Sequence, residues 1–153
     1  LATIHANDAI SVLFRLIDLG IEPYLIAPTL VAAVAQRMAR RICPYCKVPA
    51  ELDAVEESAY EKELGEKPGA MFRGAGCNMC AHTGYRGRVA LFEMLQMSET
   101  LRQMVLTGKS SDEIKAAALK EGMQSIQRDG MLKVKAGITT VSEVIRIAFS
   151  GNC

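Results

Sequence analysis

Tryptophan is absent from this 153-residue chain, and phenylalanine and tyrosine number four each. So few rings argue against the aromatic stacking platforms on which single-stranded nucleic acids lie. Histidine occurs twice, too sparsely to argue a Ser-His-Asp set. An excess of either charge is also missing, since 18 basic residues meet 17 acidic ones; no polyanionic partner is expected from that balance. No apolar run is long. The longest, Leu25 to Ala35, is broken by Pro28, whereas a membrane-spanning helix needs about 20 apolar residues. No charged segment followed by an apolar one stands at the start, so no signal peptide is expected. The chain begins at Leu1 with "LATIHA", which reads as a strand already in progress and suggests a piece of something longer. GxxxxGK[ST], a dinucleotide fingerprint, internal repeats and low-complexity tracts are all lacking.

What is present is a series of short, punctuated elements. Asn7 or Asp8 can cap a helix whose Ile10, Leu13, Phe14 and Ile17 share a face, with Gly20 stopping it. Pro23 suits the first turn of a second helix, apolar nearly all round through Val34 and therefore expected to be buried. A basic segment, Arg37 to Ile42, follows. An acidic stretch from Glu51 to Glu66 allows a helix over Val55 to Leu64, ended by Gly65, and reads as a solvated excursion. Val89 to Leu95 has strand composition with Val89, Leu91 and Leu95 on one face. The last third reads as helical, with capping boxes at Ser110/Glu113 and Thr140/Glu143. There Val141, Val144, Ile145 and Ala148 form one stripe, and Gly108, Gly122 and Gly137 divide the segments.

Five cysteines are present, four of them in two CxxC pairs separated by thirty residues: Cys43/Cys46 and Cys77/Cys80. Such spacing outside a small secreted scaffold favours a reducing, cytosolic compartment and metal or redox use. A catalytic dithiol works alone at the start of a helix; here Pro49 opposes a helix directly after Cys46, no βαβ unit brackets the motif, and the second pair would be unexplained. Two knuckles together supply a closed tetrahedral S4 shell, so structural Zn2+ on Cys43, Cys46, Cys77 and Cys80 is the expectation, with iron or redox use as alternatives. His82 can displace one cysteine, but a turn hydrogen bond is the blander role. Cys153 has no partner in the sequence and reads as a free thiol.

"TGKSS" at Thr107 to Ser111 imitates a phosphate loop, yet Gln103 stands where the first glycine belongs. Gly108 is better read as a helix stop and Ser110 as the next cap. His5, at an expected strand-to-helix junction, stands where nucleotide-binding folds place polar groups, although a structural histidine is the commoner finding there.

Several blocks resemble a known family. "LATIHANDA", "RLIDLGIEPYLIAPTL", "AQRMARRICPYCK", "GCNMCAHTGYRGRVALFEML" and "DGMLKVKAGITTVSEVIRIA" are similar, in that order, to the secretion ATPases. These are the hexameric motors of type II secretion and type IV pilus assembly. The resemblance implies a C-terminal α/β fragment of a RecA-like ATPase core (1–42, with the histidine box), a tetracysteine zinc-binding subdomain with short strands (43–96), and a C-terminal helical bundle (97–153). It makes His5 a nucleotide-sensing candidate and matches the four cysteines to the zinc motif of the assembly and secretion members, which retraction motors generally lack. It implies a homo-hexameric parent that uses ATP and Mg2+, works against an inner-membrane platform protein, and sits in the cytoplasm at the inner membrane. The phosphate loop and the Mg2+-binding acidic strand are missing from these residues, so the chain alone is not expected to hydrolyse ATP. Arg15, Arg37 and Arg40 are candidates for subunit contacts, with a plain solvated or salt-bridged role as the alternative for each. Two rivals remain: a zinc-ribbon nucleic-acid module using Arg37, Arg40, Arg41, Arg86 and Arg88, and a thiol oxidoreductase.

Overall fold

The computed structural model describes residues 1–149; Cys153, expected as a free thiol, lies outside them. Among the described residues the chain is mixed α/β, with seven α-helices and four strands. In order these are α1 (Ser11–Asp18), α2 (Pro23–Thr29), β1 (Ala32–Ile42), β2 (Lys47–Ala50), α3 (Ala54–Leu64), β3 (Met71–Gly74), β4 (Tyr85–Gln96), α4 (Glu99–Leu106), α5 (Ser111–Lys120), α6 (Ile126–Lys135) and α7 (Val141–Phe149). β1 pairs with β4 and β2 with β3, giving two two-stranded sheets. No helix among these residues is long and apolar enough to cross a membrane.

The chain divides into two compact units, one of residues 1–36 with 92–125, the other of 37–91 with 126 onward. In the first, Asp8 stands just ahead of α1, where its Oδ1 accepts from the Ser11 amide at 2.7 Å. Ile10 and Leu13 then bury against Ile26, Leu95, Leu101, Val105, Ile114 and Ala118. Ser98 caps α4 and Ser110 caps α5, the latter through the full expected box with Glu113. The Glu113 carboxyl is pulled down to about 2, chiefly by the Ser110 amide that donates to it and then by Lys109. Gly108, in "TGKSS", sits in the left-handed conformation after α4 with φ 68°. That segment joins two helices and cradles no phosphate-loop turn.

Two expectations fail in this unit. "LATIHA" is unpaired coil among the described residues, because an extended segment becomes a strand only when another strand supplies its hydrogen bonds. The second helix ends at Thr29, and β1 begins at Ala32. A short apolar run satisfies helix and strand equally, and Pro28 deprives the helix of a continuing donor. Nor is this run buried all round: Tyr24, Leu25, Val31 and Val34 are exposed.

In the second unit, Tyr60, Met71, Met131, Val134, Val141 and Val144 form the core. The acidic stretch is therefore more than a solvated excursion. α3 carries Tyr60 at 1 % exposure into that core, capped by Asp53 and closed by left-handed Gly65. Gly130 within α6 permits close approach of α7: a Cβ there would lie 2.7 Å from Val144 Cγ1.

Candidate metal centre

The first cysteine pair sits on a turn between two strands. β1 ends at Ile42 and β2 starts at Lys47, and the Cys46 amide bends back to the Cys43 carbonyl at 3.4 Å. Pro49 pairs with Phe72 in the antiparallel β2–β3 ladder, in register with Lys47 opposite Gly74. A strand thus follows Cys46 where a dithiol enzyme would place a helix.

The second pair spans one 3-10 turn, Asn78–Cys80, which Cys77 caps and Cys80 ends. Ala81 and His82 follow with φ 48° and 61°, and the His82 amide donates to the Cys77 carbonyl at 2.9 Å. His82 therefore contributes a turn hydrogen bond, and its imidazole does not belong to the ligand cluster. The turn meets the first knuckle by backbone contact: the Cys43 amide donates to Gly84 O at 2.9 Å and the Ala75 amide to Cys46 O at 2.8 Å. Gly74 and Gly84 cross so closely that a Cβ on Gly84, which has φ +76°, would lie 2.6 Å from Gly74 O.

The four sulfurs converge. All lie within 4.8 Å of one another, with Cys43–Cys77 and Cys46–Cys80 at 3.9 Å and Cys77–Cys80 at 3.8 Å. A tetrahedral ion with metal–sulfur bonds of about 2.3 Å has sulfur–sulfur edges of about 3.8 Å, so the set fits one such ion. Amides converge as well: Gly76 donates to Cys46 Sγ, and Cys77 and Gly84 donate to Cys80 Sγ, at 3.2–3.3 Å. Such donors stabilise sulfur as thiolate, the form that binds metal. Burial opposes the Cys80 thiolate, yet the Cys77 and Gly84 amides bring that thiol down to about 6. Burial pushes Cys46 up to about 12, the neighbouring thiols adding and the Gly76 amide opposing. A divalent cation held by the four sulfurs would offset the crowding of these thiols.

The site is braced from the C-terminal side. Glu143, whose side chain is fully buried, accepts from the Arg40 amide at 3.0 Å and from Arg40 Nη2 at 2.7 Å, three residues before Cys43. Arg146 closes on the same carboxylate at 2.6 Å. Burial alone would raise the Glu143 carboxyl, but hydrogen bonds from Arg146 and Arg40 hold it at about 2. The expected Thr140 box is therefore half made: Thr140 Oγ1 accepts the Glu143 amide, while the carboxylate serves the two arginines. Thr139 Oγ1 donates to Arg40 O at 2.8 Å, and Ile138 O accepts the Ile42 amide at 2.9 Å. Lys47 Nζ donates to Gly137 O at 2.7 Å.

Of the other arginines named from sequence, Arg40 also lies 4.2 Å over the Tyr85 ring and Arg86 5.2 Å over the Tyr45 ring. Arg40 is thus spent on a buried carboxylate, which disfavours the nucleic-acid reading. Arg15, Arg41 and Arg88 are exposed and Arg37 is half-buried. His5 is exposed in the coil ahead of α1, in the other unit from the cysteines. Sequence reasoning missed Glu93, which is 2 % exposed and takes the Ala9 amide at 2.9 Å. The period-2 rule that grouped Leu91 with Leu95 places Glu93 between them on the same face.

Comparison with known proteins gives this mixed α/β chain, with its four converging cysteine sulfurs, a family. The family described as "Type II/IV secretion system protein" matches residues 1–146, and the chain belongs to it. It is 38 % identical over 146 residues to the type IV pilus assembly ATPase PilB of Thermus thermophilus, covering 95 % of this chain and 16 % of that protein. It is 41 % identical over 150 residues to the PilB of Myxococcus xanthus, covering 95 % and 26 %. It is 35 % identical over 147 residues to the type II secretion system ATPase E of Vibrio cholerae, covering 96 % and 29 %. The chain spans less than a third of the length of each of these relatives.

Proposed function

We propose that this chain is the C-terminal portion of a hexameric motor ATPase that powers type II protein secretion or type IV pilus assembly. The observation that carries the reading is the family match over residues 1–146 together with one cluster of four thiols. In this reading residues 1–42 end a RecA-like core, 43–96 make the zinc-binding subdomain and 97–153 the helical one. Cys43, Cys46, Cys77 and Cys80 hold a structural Zn2+. Four thiolates leave no open position, so the ion serves folding rather than chemistry. His5 senses the phosphate state of ATP bound, with Mg2+, to parts of the motor upstream of this segment. The parent works at the cytoplasmic face of the inner membrane against a platform protein.

The test is a transplant. Residues 1–153 replace the matching segment of the Myxococcus PilB, and pilus assembly and ATP hydrolysis are measured in a strain lacking its own copy. Restored pili and hydrolysis support the reading, and replacing His5 with Ala should then lower turnover. A folded chimera that binds ATP and hydrolyses none would overturn it.

A further inference from the structure

Glu93 is a buried carboxylate that the proposed motor chemistry leaves without a task. It stands on β4 between Leu91 and Leu95, both fully buried, and is itself 2 % exposed. A carboxylate withdrawn from water in such surroundings requires hydrogen-bond donors. One of its donors is the backbone amide of Ala9, at 2.9 Å and 84 positions away in sequence. Ala9 is fully buried, while His5 four residues earlier is exposed. Between them Asp8 stands just ahead of α1, accepting from the Ser11 amide at 2.7 Å. The stretch from His5 to Ala9 therefore leaves the surface and ends on a fixed buried point supplied by β4.

We propose that Glu93 is a positioning residue for the His5 segment: by binding the Ala9 amide it fixes where that segment enters α1, and so where the His5 imidazole is presented. The inference rests on the reading of His5 as the nucleotide-sensing group. A sensor must meet a phosphate with little positional freedom to report on it, and the Ala9 amide, four residues on and bound to β4, limits that freedom without touching the ligand. The task needs an acceptor at this point rather than a negative charge. Gln can supply one and Leu cannot.

Two readouts separate this inference from the reading beneath it. Amide exchange of residues 5–10 is measured in the 153-residue chain carrying Glu93→Leu or Glu93→Gln. Glu93→Leu is expected to speed exchange at Ala9 by about tenfold while α4 and α5 keep their protection, and Glu93→Gln to remain within about threefold of the unaltered chain. In the PilB chimera, Glu93→Leu should lower kcat with little change in KM, matching His5→Ala, and Glu93→Gln should restore it. Unchanged Ala9 exchange in Glu93→Leu, or acceleration spread evenly through α4 and α5, overturns the positioning role. If Ala9 is released but His5→Ala leaves turnover intact, the anchor stands as structure, and the sensing reading and the positioning role built on it fail together.

Discussion

Arg40 and Glu143 lie 103 positions apart and are joined three times, through the Arg40 amide, Nε and Nη2. The carboxylate is fully buried while the guanidinium is half exposed, and the bond lands three residues before Cys43, the first cysteine of the cluster. The strand that feeds the knuckle is thus held by the last helix. Replacing Glu143 with Ala removes the acceptor and leaves the Arg40 amide without it. The expected cost is about 3 kcal/mol, at the low end for a broken buried pair because both arginines can hydrate. That corresponds to a thermal midpoint lower by roughly 6–12 °C, with Glu143→Gln losing less. Equal midpoints for Glu143→Ala and the unaltered chain in a calorimeter would dismiss the brace.

The same carboxylate fixes an acid limb. Its folded pKa, about 2, lies below the ordinary carboxylate value, so its contribution is complete above about pH 4.5 and is lost as pH falls toward 2. Denaturation midpoints measured from pH 6 to pH 2.5 should drop more steeply for the unaltered chain than for Glu143→Gln, which has no proton to take up. Parallel profiles would assign the acid sensitivity elsewhere.

Metal removal should be costly and specific. Stripping the ion with a chelator is expected to lower the melting midpoint by at least about 10 °C, because structural zinc contributes its binding energy to folding. Serine at any one of Cys43, Cys46, Cys77 or Cys80 should weaken binding by more than about a hundredfold, above the usual loss of an outer-shell partner. Elemental analysis returning one zinc per chain before chelation and none after fits this account; a metal-free chain melting at the same temperature contradicts it.

The glycine crossing gives a steric test. Gly84 and Gly87 both have positive φ, 76° and 78°. A Cβ at Gly84 meets the Gly74 carbonyl at 2.6 Å, whereas one at Gly87 meets nothing within 4 Å. Gly87→Ala should cost only the backbone term, about 1–2 kcal/mol. Gly84→Ala should in addition pull the knuckles apart and lower zinc affinity by about tenfold or more. A competition titration giving the two variants equal zinc affinity would remove the crossing from the account of the site.

Local rules reached far along this chain where the signal was itself local. Gly65, Gly108 and Ser110 act where one turn of backbone demands them, and the CxxC spacing marked two knuckles before their meeting was visible. Local rules failed where a neighbour distant in sequence decided. Val31 to Val34 suits a helix as well as a strand, and β4 settles the matter by pairing with β1. Leu1 to Ala6 has strand composition and, among the described residues, no strand paired with it. Thr140 and Glu143 have the spacing of a capping box, but Arg40 and Arg146 compete for the carboxylate with charged donors, and those bonds are the stronger.

Sequence alone determined which side chains are present, four thiols at knuckle spacing and the glycines that let turns form, because those depend on a few adjacent residues. Tertiary structure decided that sulfurs from two distant turns, Cys43 with Cys77 and Cys46 with Cys80, stand 3.9 Å apart, that Glu143 faces Arg40, and that Glu93 takes the Ala9 amide. Hydrogen bonds and ion pairs act only at contact distance, and contact between residues 34, 84 or 103 positions apart is a property of the folded chain.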